Sequence, residues 1–242
     1  MRKHESGFTL IELMIVIAII AIIAAIAIPN LLAAKLSANE TAAIATLRNL
    51  ASCQAQVQTS GKIDCDNDGI GEYGTFLEMT GTVGVRKGFT AGTPSTSDFT
   101  TKGTQVNPPI LSAALANVDA LGFVTKSGYA FMIFLPDAAA PSGFSHETGP
   151  AASVAVSAVL GVDMSETTWC AYGQPVARGN SGNRRFFVNQ AGDVMQSANE
   201  VAKAQGVTAA IVGASAFRGA AITSQVAVGT AGQDGDVWKV TN

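Results

Sequence analysis

Gly7-Phe8-Thr9-Leu10-Ile11-Glu12 opens the segment that decides how this 242-residue chain is read: no charged residue follows from Leu13 to Ile28, and Pro29 closes the run. Ile15, Ile17, Ile19, Ile20, Ile22, Ile23, Ile26 and Ile28 alternate with alanines around the whole helical cylinder. A helix with no polar face must be covered on every side. At about 1.5 Å of rise per residue, Phe8 to Ile28 reaches about 30 Å, the hydrocarbon thickness of a bilayer. Arg2 and Lys3 precede the run and no further Lys or Arg occurs before Lys35. That asymmetry predicts a single pass with the N-terminus cytoplasmic and the bulk of the chain extracytoplasmic.

A secretory signal peptide shares the basic start and the small residues, but its apolar core runs only about 7 to 15 residues and has no use for an acid. A plain membrane anchor has no use for Glu12 either, since a carboxylate inside a membrane helix costs about 2.5 to 3.5 kcal/mol on insertion scales. An acid tolerated there is a candidate functional group.

The basic start Met1 to Gly7, the Gly7/Phe8 junction, Glu12 as fifth residue after it, and Pro29 at the end of the run resemble the N-terminus of type IV prepilins and of the pseudopilins of type II secretion systems. The resemblance covers about the first 50 residues and its motif is specific. It implies an α+β, pilin-like fold in which a long N-terminal helix packs on an antiparallel sheet. It also implies a prepilin peptidase that cuts after Gly7 and N-methylates Phe8. Assembly would follow through Phe8, Glu12 and Pro29, with Glu12 of one subunit meeting the Phe8 amine of its neighbour. In a low dielectric such a pair penalises a wrong register more than it adds net stability. Pro29 removes a backbone donor and marks a place where the helix can bend or unwind. The partners implied are a homo-oligomeric filament, other pilins or pseudopilins, and an inner-membrane assembly platform. The location implied is the bacterial inner membrane, then a pilus or a periplasmic pseudopilus.

After Pro29 the pattern stays helical and becomes amphipathic, with Leu32, Leu36, Ala43, Leu47 and Leu50 near helical spacing and no Gly or Pro before Gly61. The chain therefore divides into a leader (1-7), a long helix (8-60, with 8-28 transmembrane) and a globular head (61-242). In the head, Gly128 to Leu135 is apolar and aromatic and reads as a buried strand ended by Pro136. Thr168 to Tyr172 reads as another strand, and Arg184 to Asn189 with Asp193 to Gln196 as a hairpin. Residues 91 to 109 are expected to form a surface loop, Asn199 to Gln205 to start a short helix, and Asp236 to Val240 to close the sheet. Asp68 to Gly74 and Phe187 to Asp193 also resemble stretches of a group of bacterial pilin-like proteins, which supports the same architecture.

Asp64, Asp66 and Asp68, with Gly69 in sixth place, match the first half of a calcium-binding loop of the EF-hand kind. Position twelve is Thr75 rather than a bidentate Glu, so only Glu72 or Glu78 is left to complete a Ca2+ shell. The expected set is Asp64, Asp66, Asp68 and Glu72, against an ordinary solvated turn as the alternative. Asp234 and Asp236 are too sparse to read as a second site. Of the three cysteines, Cys53 and Cys65 are the favoured disulfide, with Cys65–Cys170 as runner-up and Cys170 a buried thiol in its strand.

No catalytic constellation is present. The two histidines are His4, in the leader, and His146, in a polar stretch read as a loop. Phosphate-binding glycine loops, zinc spacings and nucleophile elbows are missing from the sequence, and no enzyme is expected. The net charge of −3 leaves no electrostatic footprint for nucleic acid, and Arg184-Arg185 reads as a solvated hairpin rim. Two function classes remain: a structural filament subunit, and a membrane-anchored extracytoplasmic binding or adhesion module or minor tip pilin with little self-polymerisation. Glu12 favours the first.

Overall fold

The computed structural model describes residues 8–86, 102–137, 143–147, 160–207 and 211–241. The expected leader, including Gly7, and residues 91 to 101 of the expected loop lie outside them. Helix α1 (Leu10–Ser60) is continuous through Pro29: one lost donor leaves the rest of a 51-residue ladder in place. Thr9 caps its start, and Gly61 ends it at φ 58°, a left-handed conformation that glycine adopts without strain.

The helix changes character near Glu40. Before it, the apolar side chains face outward on all sides, from Phe8 at 92% exposure to Leu32 at 43%. After it, Ala43, Leu47, Leu50, Gln54 and Val57 recur at helical spacing and are buried. Leu32 and Leu36, expected in the same stripe, stay outside it.

The head begins with a short helix α2 (Phe76–Met79) and a two-stranded ribbon, β1 (Gly84–Arg86) with β2 (Lys102–Gln105). Part of the expected loop is thus a strand. The main sheet is antiparallel and contains β3 (Val124–Lys126), β4 (Tyr129–Asp137) and β5 (Gly143–His146). After a short helix α3 (Val162–Ser165) it continues with β6 (Cys170–Pro175), β7 (Arg185–Asn189), β8 (Met195–Ser197) and β9 (Trp238–Val240). Its order is β3-β4-β6-β7-β8-β9, with β5 also paired to β4.

Strand β4 shows why the sequence reads as one apolar run. Tyr129, Phe131, Ile133 and Leu135 enter the core shared with α1, while Ala130, Met132 and Phe134 enter a second core under Ile211, Phe217 and Trp238. Successive side chains on a strand alternate faces, so a strand covered on both sides has no polar position. Gly173 of β6 lets the helix approach: a Cβ there would lie 3.0 Å from the Phe131 ring and 3.8 Å from Leu47. Pro136 does not end β4. It falls opposite Phe144 of β5, beyond Phe134, the last residue of β4 paired with β6. Proline is tolerated there because one side of the strand no longer needs a donor.

The hairpin of β7 and β8 forms as expected, with Gly192 at φ 81° in its turn and Phe187 opposite Met195. Three further expectations for the head fail. His146 lies in β5 rather than in a loop. Asn199 to Gln205 makes no helix, because Asn199 takes φ 55°, its side chain bonds Ala204 N and O, and the Asp236 carboxylate takes the N–H groups of Glu200, Val201 and Ala202. Arg184-Arg185 is no solvated rim either. Arg185 is buried, with Nη1 2.7 Å from Asp234 Oδ2 and its guanidinium over the Trp238 ring.

Candidate functional site

Two regions concentrate the residues singled out by the sequence: the first turns of α1 and the loop between α1 and α2. At the helix start, Thr9 Oγ1 accepts from Glu12 N at 3.3 Å, and Glu12 Oε2 accepts from Thr9 N at 2.8 Å and from Thr9 Oγ1 at 2.7 Å. This is a capping box, which satisfies otherwise orphaned groups of the first turn. Its signal lies in the sequence, Thr followed three residues later by Glu, beside the expectation that Glu12 pairs with another subunit. Glu12 has a partner within its own chain. Among the described residues both hydrogen bonds to its carboxylate go to Oε2, which leaves Oε1 for a group outside the chain. Phe8 adjoins this turn at the exposed helix end, and Pro29 lies within the exposed apolar length.

The acidic loop leaves Gly61 and turns back along the helix end. Glu72 N donates to Ile63 O at 2.8 Å, and a Cβ on Gly71 would fall 2.1 Å from Gln58 O, so only glycine fits that contact. The buried Gln54 amide then pairs with Gly74 like a short piece of sheet, its Nε2 donating to Gly74 O at 2.7 Å and its Oε1 accepting from Gly74 N at 2.9 Å. Within the turn, Asp64, Asp66 and Asp68 each accept from a backbone N–H of the loop.

The structure brings Asp64, Asp66 and Glu72 together, one carboxylate oxygen of each within 4.8 Å of the others. Asp68 joins Asp66 in a second such group whose third member is Glu166, after α3. Tyr73 N donates to Ser165 O at 2.8 Å and fixes that approach. Glu166, distant in sequence, was not legible as part of the cluster. Burial and then the charges of Asp68, Asp66, Asp163 and Glu72 push its pKa up to about 7. Burial likewise raises Glu72 against the opposing influence of Arg86, and raises Asp66. Glu78, the other residue expected to complete a shell, is committed elsewhere. Its Oε2 accepts from Thr75 in the cap of α2, and its Oε1 pairs with buried Arg86 at 3.0 Å.

The expected Cys53–Cys65 bridge is not made, and all three cysteines are free, buried thiols. Cys53 Sγ donates to Asn49 Oδ1 and Ile110 O, whereas Cys65 Sγ is directed at Arg86 O, so each is engaged by a different neighbour.

Residues 2–28 match the family model for the prokaryotic N-terminal methylation motif. The chain is 55% identical over 56 residues to the type IV wide pilus major component PilA4 of Thermus thermophilus, an alignment covering 23% of this chain and 43% of that one. It is 39% identical over 100 residues to the type IV major fimbrial protein FimA of Dichelobacter nodosus, covering 41% of this chain and 59% of the relative. The chain thus spans about half the length of the curated relatives it matches. No solved structure matches it. Over its N-terminal part the chain is thus similar to type IV pilins: it carries the prokaryotic N-terminal methylation motif on a long helix whose second half packs on an antiparallel sheet.

Proposed function

We propose that this chain is a structural subunit of a type IV pilus. A prepilin peptidase cleaves it after Gly7 and methylates the Phe8 amine. Until assembly the apolar helix holds it in the inner membrane, N-terminus cytoplasmic and head outside, and an assembly platform then packs the helices of successive copies together with those of other pilins. The observation that carries this reading is the outer half of α1, where apolar side chains from Phe8 to Leu32 are exposed on every face while the inner half is locked into the head. Lipid can cover such a rod, and so can other copies of it. The matched relatives are a pilus component and a fimbrial protein, which favours a pilus over a secretion pseudopilus.

Glu12 supplies the register. Its Oε2 is held by Thr9 in the first turn, which presents the carboxylate beside the helix start, where the amine of a neighbouring Phe8 can reach it. Surface fibres should be sheared from cells carrying the parent chain, Glu12→Ala or Thr9→Val. Parent fibres should contain this chain as a main component. Glu12→Ala should be processed after Gly7 yet absent from fibres, and Thr9→Val should assemble less. Normal fibres from Glu12→Ala would refute the pairing, and a parent chain absent from fibres would leave the anchored-module reading in its place.

A further inference from the structure

We propose that Asp64, Asp66, Asp68, Glu72 and Glu166 form a site for one divalent cation of the calcium type, assembled from two segments of the head and distinct from the filament-forming helix. Asp66 is the common member: its carboxylate lies within 4.8 Å of ligand atoms of Asp64 and Glu72 in one group and of Asp68 and Glu166 in the other. Acidic turns are frequent without any ion, so the clustering alone decides nothing. The deciding observation is Glu72. Its side chain belongs to a residue only 1% exposed. Oε1 accepts from Cys65 N at 2.7 Å, and Oε2 is buried with no hydrogen-bond partner. Asp64 Oδ1 is buried and unpartnered as well.

Two buried carboxylate oxygens without donors are stabilised only by a proton or a cation. The neighbouring cations supply that stabilisation only in part: the charge of Arg86 acts on Glu72 from a distance while its guanidinium is paired with Glu78 at 3.0 Å, and Lys62 Nζ donates to Asn107 O at 3.2 Å. A metal ion resolves the deficit and the mutual repulsion together. All the donors are oxygens, which suits a hard cation, and two overlapping groups of three carboxylates that share Asp66 suit the six to eight oxygen ligands of calcium better than the rigid, water-retaining shell of magnesium. Glu166 takes the part that Thr75 cannot, since Thr75 is buried in the cap of α2. The bound ion would clip the loop at the end of α1 to the connection between α3 and β6, next to the Tyr73–Ser165 backbone bond.

The test uses the full chain in detergent micelles after treatment with a chelator. Tyr73 and Trp169 belong to the two ligand segments, with ring centroids 5.9 Å apart, so their excitation should sensitise luminescence of bound Tb3+. We expect saturable luminescence displaced by Ca2+ and at least about tenfold less well by Mg2+, with a rise in the thermal midpoint in Ca2+. Glu166→Gln and Asp66→Asn should each weaken Ca2+ displacement by about tenfold or more, while circular dichroism shows the fold retained. Parent protein without luminescence or midpoint shift would overturn the site. Parent-like binding by Glu166→Gln would overturn its assembly from two segments. Neither result touches the filament reading, which the fibre experiment tests separately.

Discussion

Glu40 and Arg184, 144 residues apart in the chain, are joined at the point where α1 passes from exposed rod to buried core. Glu40 Oε2 lies 2.7 Å from Arg184 Nε and 2.6 Å from Nη2, and Oε1 accepts from the backbone N–H groups of Asn183 at 2.9 Å and Arg184 at 3.2 Å. One carboxylate therefore holds the turn before β7 against the helix. Beside it, Asn39 Nδ2 donates to Ser181 O at 2.8 Å, so two adjacent helix residues fix the angle at which the rod leaves the head.

Burial opposes ionisation of Glu40, but the hydrogen bonds from Asn183 and Arg184 outweigh it and lower its pKa. A carboxylate with a depressed folded-state pKa contributes stability above its unfolded pKa and loses it as pH falls through the folded value. Glu40→Ala should therefore destabilise the head by about 1–2 kcal/mol at neutral pH, discounted because the Arg184 side chain is 41% exposed. The difference from the parent should shrink in acid, below the ordinary carboxylate range. Chemical denaturation of the full chain in micelles, monitored by tryptophan fluorescence across pH, measures both effects, and a penalty unchanged by acid would contradict the charge-based account.

Glu147 should act in the opposite sense. Its Oε1 accepts from Leu77 N at 3.2 Å, but burial, and then the charge of Glu78, push its pKa up to about 8. A raised acid stabilises the fold while neutral, so its contribution is complete below its unfolded pKa and is lost as pH rises through about 8. Across that window the loss is on the order of 5 kcal/mol for a shift of this size. Glu147→Gln keeps the shape without the charge and should flatten the decline in thermal midpoint between pH 6 and about pH 9. An equally steep decline in the variant would assign the titration to another group.

What the sequence made legible follows from how local the cause is. The apolar run, the long helix and the strand at Tyr129 to Leu135 are readable because periodicity and composition act within a few residues. The β7–β8 hairpin was readable for the same reason, through its turn glycine. Arg185, Glu40 and Glu166 were misread or missed because their partners, Asp234, Arg184 and Asp66, lie far along the chain, and no spacing rule carries that information. The cysteines failed for the same cause: proximity in sequence suggested Cys53 with Cys65, whereas the fold engages each with a different neighbour. The capping box of Thr9 and Glu12 was the reverse case, a local signal obscured by attention to a distant partner.

Arg185 and Asp234 give the sharpest energetic contrast. Their side chains are 2% and 7% exposed, Asp234 Oδ1 accepts from Asp236 N and Trp238 Nε1, and the guanidinium packs on the Tyr172 and Trp238 rings. Removing one partner leaves the other charge buried without compensation, which costs about 3–5 kcal/mol. Replacing both ions with apolar groups avoids that penalty, and such exchanges are often close to neutral. Asp234→Ala alone should therefore lower the denaturation midpoint severely, and the double variant Arg185→Met with Asp234→Ala should recover most of the loss. Recovery requires the charge to be the cause of the damage. If the double variant were as unstable as the single one, the hydrogen bonds of Asp234 to Asp236 and Trp238, rather than its pairing with Arg185, would be what holds β9 to the sheet.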